Sequence, residues 1–390
     1  MSSQEKSPLV VLAEYYESGG TRTYVKQLLE FYHSLGETVL LVGMDESSDR
    51  EISDLLGKYE FRYLSYSNVL ADHGISAVPG QRLKIWSRKS QRLERSAFRS
   101  LLIKEEARGL VISVGTPGQF AGASGAHEKA LYILHTYPHG RRQRWLAWAI
   151  MSPLFVRTPN FLSVSKFQKI QMERFWGLAR RSANIEVVPN TAGLAIPLGE
   201  KDKTLPLVVL TASWVEAYKA PFFWIDVAEH VTRRLGPDQV RFRWIGEGSL
   251  LRLAQAVVAE RGLSSSVDFA GHIEEVHTEF ESAVVYFQPS ITENMSLSVI
   301  EAFRVGVPCV VSRVGGLTEI VEEGKSGFTF EPGDIEVAAG ALESLLESAE
   351  LRDQMGGEAH KRFGVKFSQV SWNESMRKLH YGIFDKVKNL

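Results

Sequence analysis

Two glutamates eight positions apart, Glu293 and Glu301, stand in different surroundings in the sequence. Glu293 lies in a polar stretch that follows the apolar run Val284 to Phe287, whereas Glu301 lies among apolar residues. The apolar run predicts a buried strand, and Ser296 is a suitable N-cap for a helix that ends near Val305. We therefore expect Glu293 in the loop at the carboxyl end of a strand and Glu301 in the second turn of the following helix.

Such a position suits a ligand that carries both phosphate and hydroxyl groups. In open parallel sheets, ligands bind outside the carboxyl ends of the strands. The free N–H groups of Ser296 and Leu297 would lie at the positive end of the helix dipole, which attracts phosphate, while carboxylates accept hydrogen bonds from sugar hydroxyls. The alternative is that Glu293 only solvates a turn and that Glu301 pairs with Arg304 along the helix, because the spacing alone is a weak signal.

The residues that follow make the pattern more specific. Ala302 comes directly after Glu301, and Gly306-Val307-Pro308 then leads into another apolar run. This segment closely resembles the retaining nucleotide-sugar glycosyltransferases with the Glu-x7-Glu motif, the family 4 type or glycosyl transferases group 1. That large family includes sucrose synthase and bacterial lipopolysaccharide and mannosyl transferases. The resemblance extends, more weakly, over nearly the whole chain.

For the donor site, the resemblance implies a separate role for each part of this segment. Glu293 would lie near the donor sugar and take part in catalysis, and Glu301 would bind the ribose hydroxyls of the nucleotide. Backbone groups of Met295, Ser296 and Leu297 would lie close to the donor.

The resemblance also assigns residues in the first half of the chain. A glycine-rich loop is expected after the first strand, where Gly19 and Gly20 precede a helix capped by Thr21, and glycine lets a backbone approach a diphosphate or an acceptor closely. Gly20 is assigned to the donor, and Gly19, Thr21 and Arg22 to the acceptor. His135 follows an apolar strand and matches the histidine that the family places beside the transferring sugar. The alternatives are that the glycine pair only marks a turn and that His135 is a loop histidine with a structural hydrogen bond.

In the second half the sequence departs from the family pattern. The family usually has an arginine and, five residues later, Lys-Gly, and both cations stabilise the diphosphate leaving group. Lys219 matches the lysine, but Trp214 stands at the arginine position and Ala220 at the glycine. Either Trp214 stacks on the nucleotide or packs the cleft, or another basic residue substitutes, or catalysis is weak; we favour the first. Gly246 and Ile273 lie in stretches that resemble donor-binding backbone, which leaves UDP, GDP and ADP open.

Alternating strands and helix-length segments predict an α/β fold with two parallel sheets. The resemblance implies a GT-B fold, in which two doubly wound Rossmann-like domains face each other across a cleft. We expect a first domain over residues 1–190, a linker over 191–205, a nucleotide-sugar-binding domain over 206–367 and a C-terminal helix over 368–390 that crosses back to the first domain. The expected strands are Leu9 to Ala13, Thr38 to Val42, Leu110 to Val114, Leu131 to Leu134, Phe161 to Val164, Pro206 to Leu210, Val240 to Ile245, Val267 to Ala270, Val284 to Phe287 and Pro308 to Val311.

Length and composition agree with two folded domains. The 390 residues exceed a usual single core, and 44% hydrophobic with 23% charged residues is the range of soluble folded proteins. The single cysteine, Cys309, excludes an internal disulfide and suits a reducing compartment. The stretch from Met1 to Pro8 indicates neither a signal peptide nor a membrane span, so we expect a cytoplasmic protein.

Positive charge is concentrated in the first half of the chain. Up to Asn190 there are 25 Lys and Arg against 18 Asp and Glu, and the remainder has 20 against 28. Two basic clusters, Arg82–Arg99 and Arg141–Arg157, account for this balance, and the second encloses the apolar stretch Trp145–Val156. That stretch is either an interfacial segment on an anionic membrane or an internal helix covering the sheet. No nucleic-acid-binding module accompanies the charge, so we expect no nucleic acid.

The predicted reaction is transfer of a hexosyl unit from a nucleotide diphosphate sugar, UDP- or GDP-linked, to an acceptor hydroxyl with retained anomeric configuration. Lys219 and helix N–H groups would stabilise the departing diphosphate without metal or cofactor, and Glu293 and His135 would orient the sugar. We expect a glycan or lipid-linked acceptor in cell-surface polysaccharide or glycolipid biosynthesis. The enzyme would be peripheral and would meet this acceptor at the inner face of the membrane. The alternatives are a sugar-nucleotide 2-epimerase of related fold and a non-catalytic subunit that binds nucleotide sugars.

Overall fold

The computed structural model describes residues 7–13, 20–43, 50–72, 88–114, 123, 126–135, 160–176, 183–199 and 205–385. The chain divides into two compact units. The first comprises Met1–Val188 together with Asn373–Leu390, and the second comprises Pro189–Trp372.

The first unit is built on a seven-stranded parallel sheet. Its strands are β1 (Leu9–Ala13), β2 (Val39–Gly43), β3 (Arg62–Ser65), β4 (Gly109–Val114), β5 (Ala130–Leu134), β6 (Asn160–Ser163) and β7 (Asn184–Val187). They lie in the order β3-β2-β1-β4-β5-β6-β7, and every neighbouring pair is parallel. The described helices are α1 (Gly20–Ser34), α2 (Arg50–Lys58), α3 (Tyr66–Ala71), α4 (Arg88–Lys104) and α5 (Lys166–Trp176). Strands β1, β2 and β5 are buried along their whole length, as expected where helices cover both faces.

The second unit contains a six-stranded parallel sheet in the order β10-β9-β8-β11-β12-β13. Its strands are β8 (Leu207–Ala212), β9 (Val240–Ile245), β10 (Val267–Gly271), β11 (Val285–Gln288), β12 (Cys309–Ser312) and β13 (Gly327–Phe330). Its helices are α6 (Pro221–Leu235), α7 (Leu251–Glu260), α8 (Val276–Ser282), α9 (Leu297–Arg304), α10 (Leu317–Ile320), α11 (Ile335–Glu347) and α12 (Ala349–Lys366), and a short 3-10 turn covers Ala217–Lys219. From β8 the chain adds β9 and β10 on one side of the sheet and β11, β12 and β13 on the other. In such sheets ligands bind at this switch point, outside the carboxyl ends of the strands.

A last helix, α13 (Gln369–Phe384), begins in the second unit and continues into the first. In the first unit the ring of Phe384 lies 2.4 Å from where a Cβ on Gly109 would be, so a larger residue at the start of β4 would displace this ring. Arg108 donates from Nη1 to Asp385 at 2.9 Å, and Lys129 donates from Nζ to the carbonyl of Phe384 at 2.8 Å. These contacts fasten the end of the helix beside β4 and β5.

The prediction of two doubly wound parallel sheets is confirmed, and the ten expected strands are present within two residues at either end. The apolar pattern does not predict β3, β7 and β13. Each of these strands has four residues and lies at an edge of its sheet. Edge strands face less of the core, so their residues alternate less clearly or include exposed positions.

The predicted membrane-facing segments are described only in part. Trp145–Val156 and the cluster Arg141–Arg157 that encloses it lie outside the described residues, as does the first part of the cluster Arg82–Arg99. The rest of that cluster lies on α4. Within the described part of the chain, no helix is long and apolar enough to cross a membrane.

Candidate functional site

The loop between β11 and α9 carries the first predicted glutamate, and its geometry agrees with the expectation from the sequence. Ser296 has an extended backbone and accepts a hydrogen bond at Oγ from the Val299 N–H at 3.4 Å, so the predicted N-cap is confirmed. Met295, directly before it, is buried, and the side-chain amide of Asn190 donates to its carbonyl at 3.1 Å. The start of α9 is therefore held by both a cap and a contact from an earlier segment of the unit.

Glu293 does more than solvate this turn. Its Oε2 forms an ion pair with the ammonium of Lys219, and both side chains are largely buried, with 14% and 12% exposure. The same oxygen accepts a hydrogen bond from Nε2 of Gln288 at 2.8 Å, while Oε1 accepts one from the Asn294 N–H at 3.2 Å. The carboxylate is thus fixed at the carboxyl end of β11 by three donors.

Lys219 reaches this position from the carboxyl end of β8. It ends the 3-10 turn, and the next residue, Ala220, adopts a left-handed conformation with φ 55° and ψ 54°. That conformation is unusual for alanine and normally favours glycine. The Ile291 N–H donates to the carbonyl of Tyr218 at 2.8 Å, which ties the turn to the loop that bears Glu293. The structure therefore brings together one cation and one anion that are 74 residues apart in the sequence.

Glu301 lies in the second turn of α9 and is partly shielded from solvent. Desolvation raises the pKa of its carboxyl to about 7, an effect that the charge of Arg304 partly offsets. Arg304 directs its Nε to the carbonyl of Leu194 at 2.8 Å. Among the described residues no ion pair joins Glu301 to Arg304, so Arg304 acts on the carboxyl through its charge and not through a direct contact.

The Gly246 segment owes its glycines to the close approach of two loops. A Cβ on Gly246, which has φ 131°, would lie 2.1 Å from the carbonyl oxygen of Ser213, and one on Gly248 would lie 2.4 Å from that of Val215. Glu216 in the same loop accepts hydrogen bonds from the N–H and the hydroxyl of Ser249, both at 2.7 Å, which lowers its pKa. A donor-binding role for Gly246 stays a prediction beside this structural requirement.

Three further residues in the segments that follow β8 and β10 can be placed. Trp214, at the position where the family has arginine, is 43% exposed, so it is not a core residue of its unit. Tyr218 is exposed to the same extent and lies beside Lys219, whose ammonium is 5.4 Å from the centre of the tyrosine ring. Ile273 is partly buried and follows the end of β10 by two residues.

The first unit carries its own set of predicted site residues. His135 follows β5 directly, with Nε2 3.0 Å from Oγ of Ser113 and its ring 4.7 Å, edge to face, from that of Tyr24. Burial lowers the pKa of His135 to about 4, so the imidazole is neutral at pH 7. Helix α1 begins at Gly20, two residues earlier than a cap at Thr21 predicts, so the prediction that Thr21 is the cap is wrong and Thr21 lies in the first turn.

Arg22 also lies in the first turn of α1, partly exposed like Thr21. Gly19 lies outside the described residues. Along the part of the chain that the structure describes, no group of three or more His, Cys, Asp or Glu side chains is arranged to hold a metal ion.

Comparison with known proteins identifies the second unit. Residues 199–362 match the family model described as glycosyl transferases group 1. The second unit is a group 1 glycosyl transferase domain. Its Lys219, Glu293 and Glu301 all lie within the matched residues. In Arabidopsis thaliana, sulfoquinovosyl transferase SQD2 is 37% identical to this chain over 91 residues, which are 23% of this chain and 18% of that protein.

Matches to the curated relatives are partial. The alignment with N-acetyl-alpha-D-glucosaminyl L-malate synthase of Bacillus anthracis has 24% identity and covers 42% of this chain and 43% of the relative. The chain thus spans less than half the length of these two curated relatives. Solved structures match over nearly the whole chain: that of HepE from Anabaena, in complex with UDP and glucose, has a TM-score of 0.73 at 16% identity and covers 96% of this chain and 99% of HepE. This likeness shows that the group 1 domain is part of a GT-B fold.

Two residues of the group 1 domain are missed by the sequence analysis as members of the site. Gln288 bonds directly to Glu293, and Asn190 holds the Met295 carbonyl. A glutamine that ends an otherwise apolar strand is a signal that could have identified Gln288, because a buried amide must find hydrogen-bond partners. The side chain of Asn190, at the end of the expected first domain, anchors the loop before α9.

Proposed function

We propose that the protein is a glycosyltransferase that moves a hexosyl unit from a UDP- or GDP-linked sugar to an acceptor hydroxyl, with retained anomeric configuration. The observation that carries this proposal is the Lys219–Glu293 pair at the carboxyl ends of β8 and β11, beside the N-terminus of α9. These groups match the parts of a nucleotide sugar: the cation and the free N–H groups at the start of the helix suit the phosphates, and the carboxylate suits the sugar hydroxyls. The HepE complex with UDP and glucose is consistent with such a donor.

In the proposed mechanism, the bond between the anomeric carbon and the diphosphate oxygen breaks, and its electron pair leaves with the nucleotide. Lys219 and the N–H groups at the start of α9 stabilise the negative charge that develops, so the reaction needs neither a metal ion nor a cofactor. The acceptor oxygen bonds to the same face of the anomeric carbon, and its proton passes to the departing phosphate oxygen. Glu293 orients the sugar and Glu301 accepts hydrogen bonds from the ribose.

His135 has a different part in this proposal. Because it is neutral at pH 7, it can donate or accept a hydrogen bond but adds no charge next to the developing cation on the sugar. We propose that it hydrogen-bonds a sugar hydroxyl, with Ser113 fixing the ring. Gly20 contributes to the donor site, and Thr21 and Arg22 contact the acceptor.

Ligand-induced thermal stabilisation tests the donor class. UDP, GDP and ADP are compared first, then their sugars, since a ligand that binds the native state raises the apparent stability. Release of nucleoside diphosphate is then measured with and without acceptors. Lys219→Ala should reduce turnover by roughly 10²- to 10³-fold, as expected for the loss of a preorganised donor. Lys361→Ala removes a lysine from an exposed pair on α12 and serves as control.

The rival functions give different results in the same assays. A 2-epimerase would convert labelled nucleotide sugars into epimers without an acceptor. A non-catalytic subunit would be stabilised by a nucleotide but would release no product, and near-normal activity of Lys219→Ala would contradict the assigned mechanism.

We also propose that the acceptor is a lipid-linked or polyanionic glycan met at the cytoplasmic face of a membrane, in polysaccharide or glycolipid synthesis. Helix α4 supports this proposal, since Arg92 and Arg99 are exposed on it together with Leu93, at 43%, and Ile103, at 77%. Basic and apolar residues exposed together suit the surface of an anionic bilayer.

Co-sedimentation with vesicles tests this contact. We expect binding to vesicles of phosphatidylglycerol but not of phosphatidylcholine at low salt, and loss of binding in the variant Arg92→Glu/Arg99→Glu. The variant Arg252→Glu/Lys361→Glu, with the same charge change at exposed positions of the second unit, should bind normally. Absence of binding to either vesicle would favour a soluble acceptor.

A further inference from the structure

Gln288, the last residue of β11, is almost fully buried, with 1% exposure, yet it ends a strand that is otherwise apolar or aromatic. Its Nε2 donates to Glu293 Oε2 at 2.8 Å and to Ser290 Oγ at 3.1 Å. Its Oε1 accepts from Ser296 Oγ at 2.8 Å and lies 3.3 Å from the hydroxyl of Tyr286. All the hydrogen-bonding capacity of the amide is thus used inside one cluster.

The chemistry of the partners fixes which way the amide points. A carboxylate only accepts hydrogen bonds, so the nitrogen of Gln288 must face Glu293. Ser296 already accepts at Oγ from the Val299 N–H in its role as N-cap, and its single hydroxyl proton therefore goes to the oxygen of Gln288. One side chain consequently connects the carboxylate at Glu293 with the cap of α9.

We propose that Gln288 is a positioning residue, which holds the Glu293 carboxylate and the N-terminus of α9 at a fixed spacing. The inference rests on the proposed function, because its effect on turnover is exerted through these two groups. Glu293 and Lys219 form an ion pair, so the bond from Gln288 also sets where the lysine ammonium lies. A catalytic group displaced by about 1 Å can reduce a rate by roughly 10²-fold.

The fold itself does not demand a glutamine at this position. An apolar residue at the end of a buried strand would contribute burial, whereas a buried amide contributes little net stability even when all its bonds are made. Local departures of this kind are expected at functional sites. The surrounding ionisable groups are Lys219, Glu293 and Tyr286, with Cys309 and Glu301 close enough to affect Tyr286.

Two variants of nearly equal size test the inference. Gln288→Met keeps the volume and loses every hydrogen bond. We expect kcat to fall about 10- to 100-fold while KM for the nucleotide sugar changes less than about threefold, since Lys219 and the helix N–H groups remain. Gln255→Met, which removes an amide bonded to the Phe269 carbonyl at 2.9 Å on α7, should keep wild-type kcat and KM.

Gln288→Glu adds a readout that a purely structural role would not produce. Only the protonated carboxyl can donate to Glu293 in place of the amide, so the activity of this variant relative to wild type should rise as the pH falls from 8 to 6. Taking the ratio to wild type at each pH cancels the titration of Glu301. Wild-type kcat in Gln288→Met, or a pH-independent ratio in Gln288→Glu, would overturn the inference.

Measurements on the wild-type protein distinguish failure of the proposed function from failure of the inference about Gln288. If wild type releases no nucleoside diphosphate from any donor, the glycosyltransferase proposal fails, and the contact is tested by denaturation instead. Unfolding constants are compared for Gln288→Met, Glu293→Gln and the double variant. The two changes should couple by about fivefold or more, as expected for residues in direct contact. Independent effects would show that Gln288 does not position Glu293.

Discussion

The ammonium of Lys219 and the carboxylate of Glu293 form an ion pair that joins the turn after β8 to the loop after β11. Only 12% and 14% of the two side chains remain exposed, so the pair is weakly screened by solvent. The two groups assigned to different parts of the donor therefore neutralise each other in the free protein. A diphosphate that binds Lys219 must compete with Glu293 for the same ammonium.

Glu293→Gln should consequently increase the affinity for UDP or GDP while it reduces turnover. Removal of the carboxylate frees Lys219 and takes away a negative charge near the phosphates, which we expect to lower Kd by about three- to tenfold. Calorimetric titration with the free nucleoside diphosphates measures this change. Glu281→Gln, at an exposed pair with His277 on α8, should leave Kd unchanged. Weaker nucleotide binding by Glu293→Gln would mean that the pair does not compete with the ligand.

The raised pKa of Glu301 predicts a pH-dependent cost to stability. Its folded pKa of about 7 exceeds the ordinary value of 4.5, so the folded state binds the proton more tightly than the unfolded state. The contribution of Glu301 to the free energy of unfolding is fully present below about pH 4.5 and is lost as the pH rises through 7. Glu301→Gln should therefore stabilise the free protein more at pH 8 than at pH 5.5, by roughly 2 kcal/mol, in urea denaturation.

Two comparisons accompany this measurement. Glu350→Gln, in the first turn of α12, should show no comparable difference between the two pH values. Nucleotide affinity of the wild-type protein should fall as the pH drops from 8 to 6, because the ribose hydroxyls require the ionised carboxylate as acceptor. A pH-independent stability difference for Glu301→Gln would contradict the raised pKa.

Periodicity and capping predicted the parts of the site that depend on local sequence. The apolar run before Gln288 and the cap at Ser296 are both short-range signals, and the structure has the strand and the helix where they indicate. The pairing of Lys219 with Glu293, by contrast, links positions 74 residues apart, and no pattern along the chain encodes it. The resemblance supplied both residues but not their contact.

The contacts of Gln288 and the backbone of Ala220 could not be predicted for a related reason. A glutamine in an apolar run indicates that partners exist but not which ones, since these come from two different loops. An alanine in place of glycine gives no sign of a left-handed backbone, because alanine normally avoids it. At both positions tertiary contacts override local preference.

Ala220 offers a prediction about stability. With φ 55° and ψ 54° it sits between the 3-10 turn and α6, where its Cβ crowds the backbone. Ala220→Gly should relieve this strain and stabilise the protein by about 0.4–1 kcal/mol, measured by urea denaturation, despite the greater freedom of glycine in the unfolded chain. Ala256→Gly, in the exposed part of α7, should destabilise by about 1 kcal/mol. Equal destabilisation by both changes would show that Ala220 is not strained.

Two adjacent glycines of α12 should respond in opposite ways to the same substitution. A Cβ on Gly356 would lie 2.2 Å from the carbonyl oxygen of Gly306, whereas one on Gly357 would have no atom within 4 Å. Gly306 has φ 69° and precedes β12, so neither backbone can move aside without disturbing the start of that strand. Gly356→Ala should destabilise by about 2 kcal/mol or more, and Gly357→Ala should stabilise by about 0.5–1 kcal/mol, because alanine favours a helix. Urea denaturation measures the free energy of unfolding of both variants. A stabilising Gly356→Ala would mean that α12 does not approach Gly306 this closely.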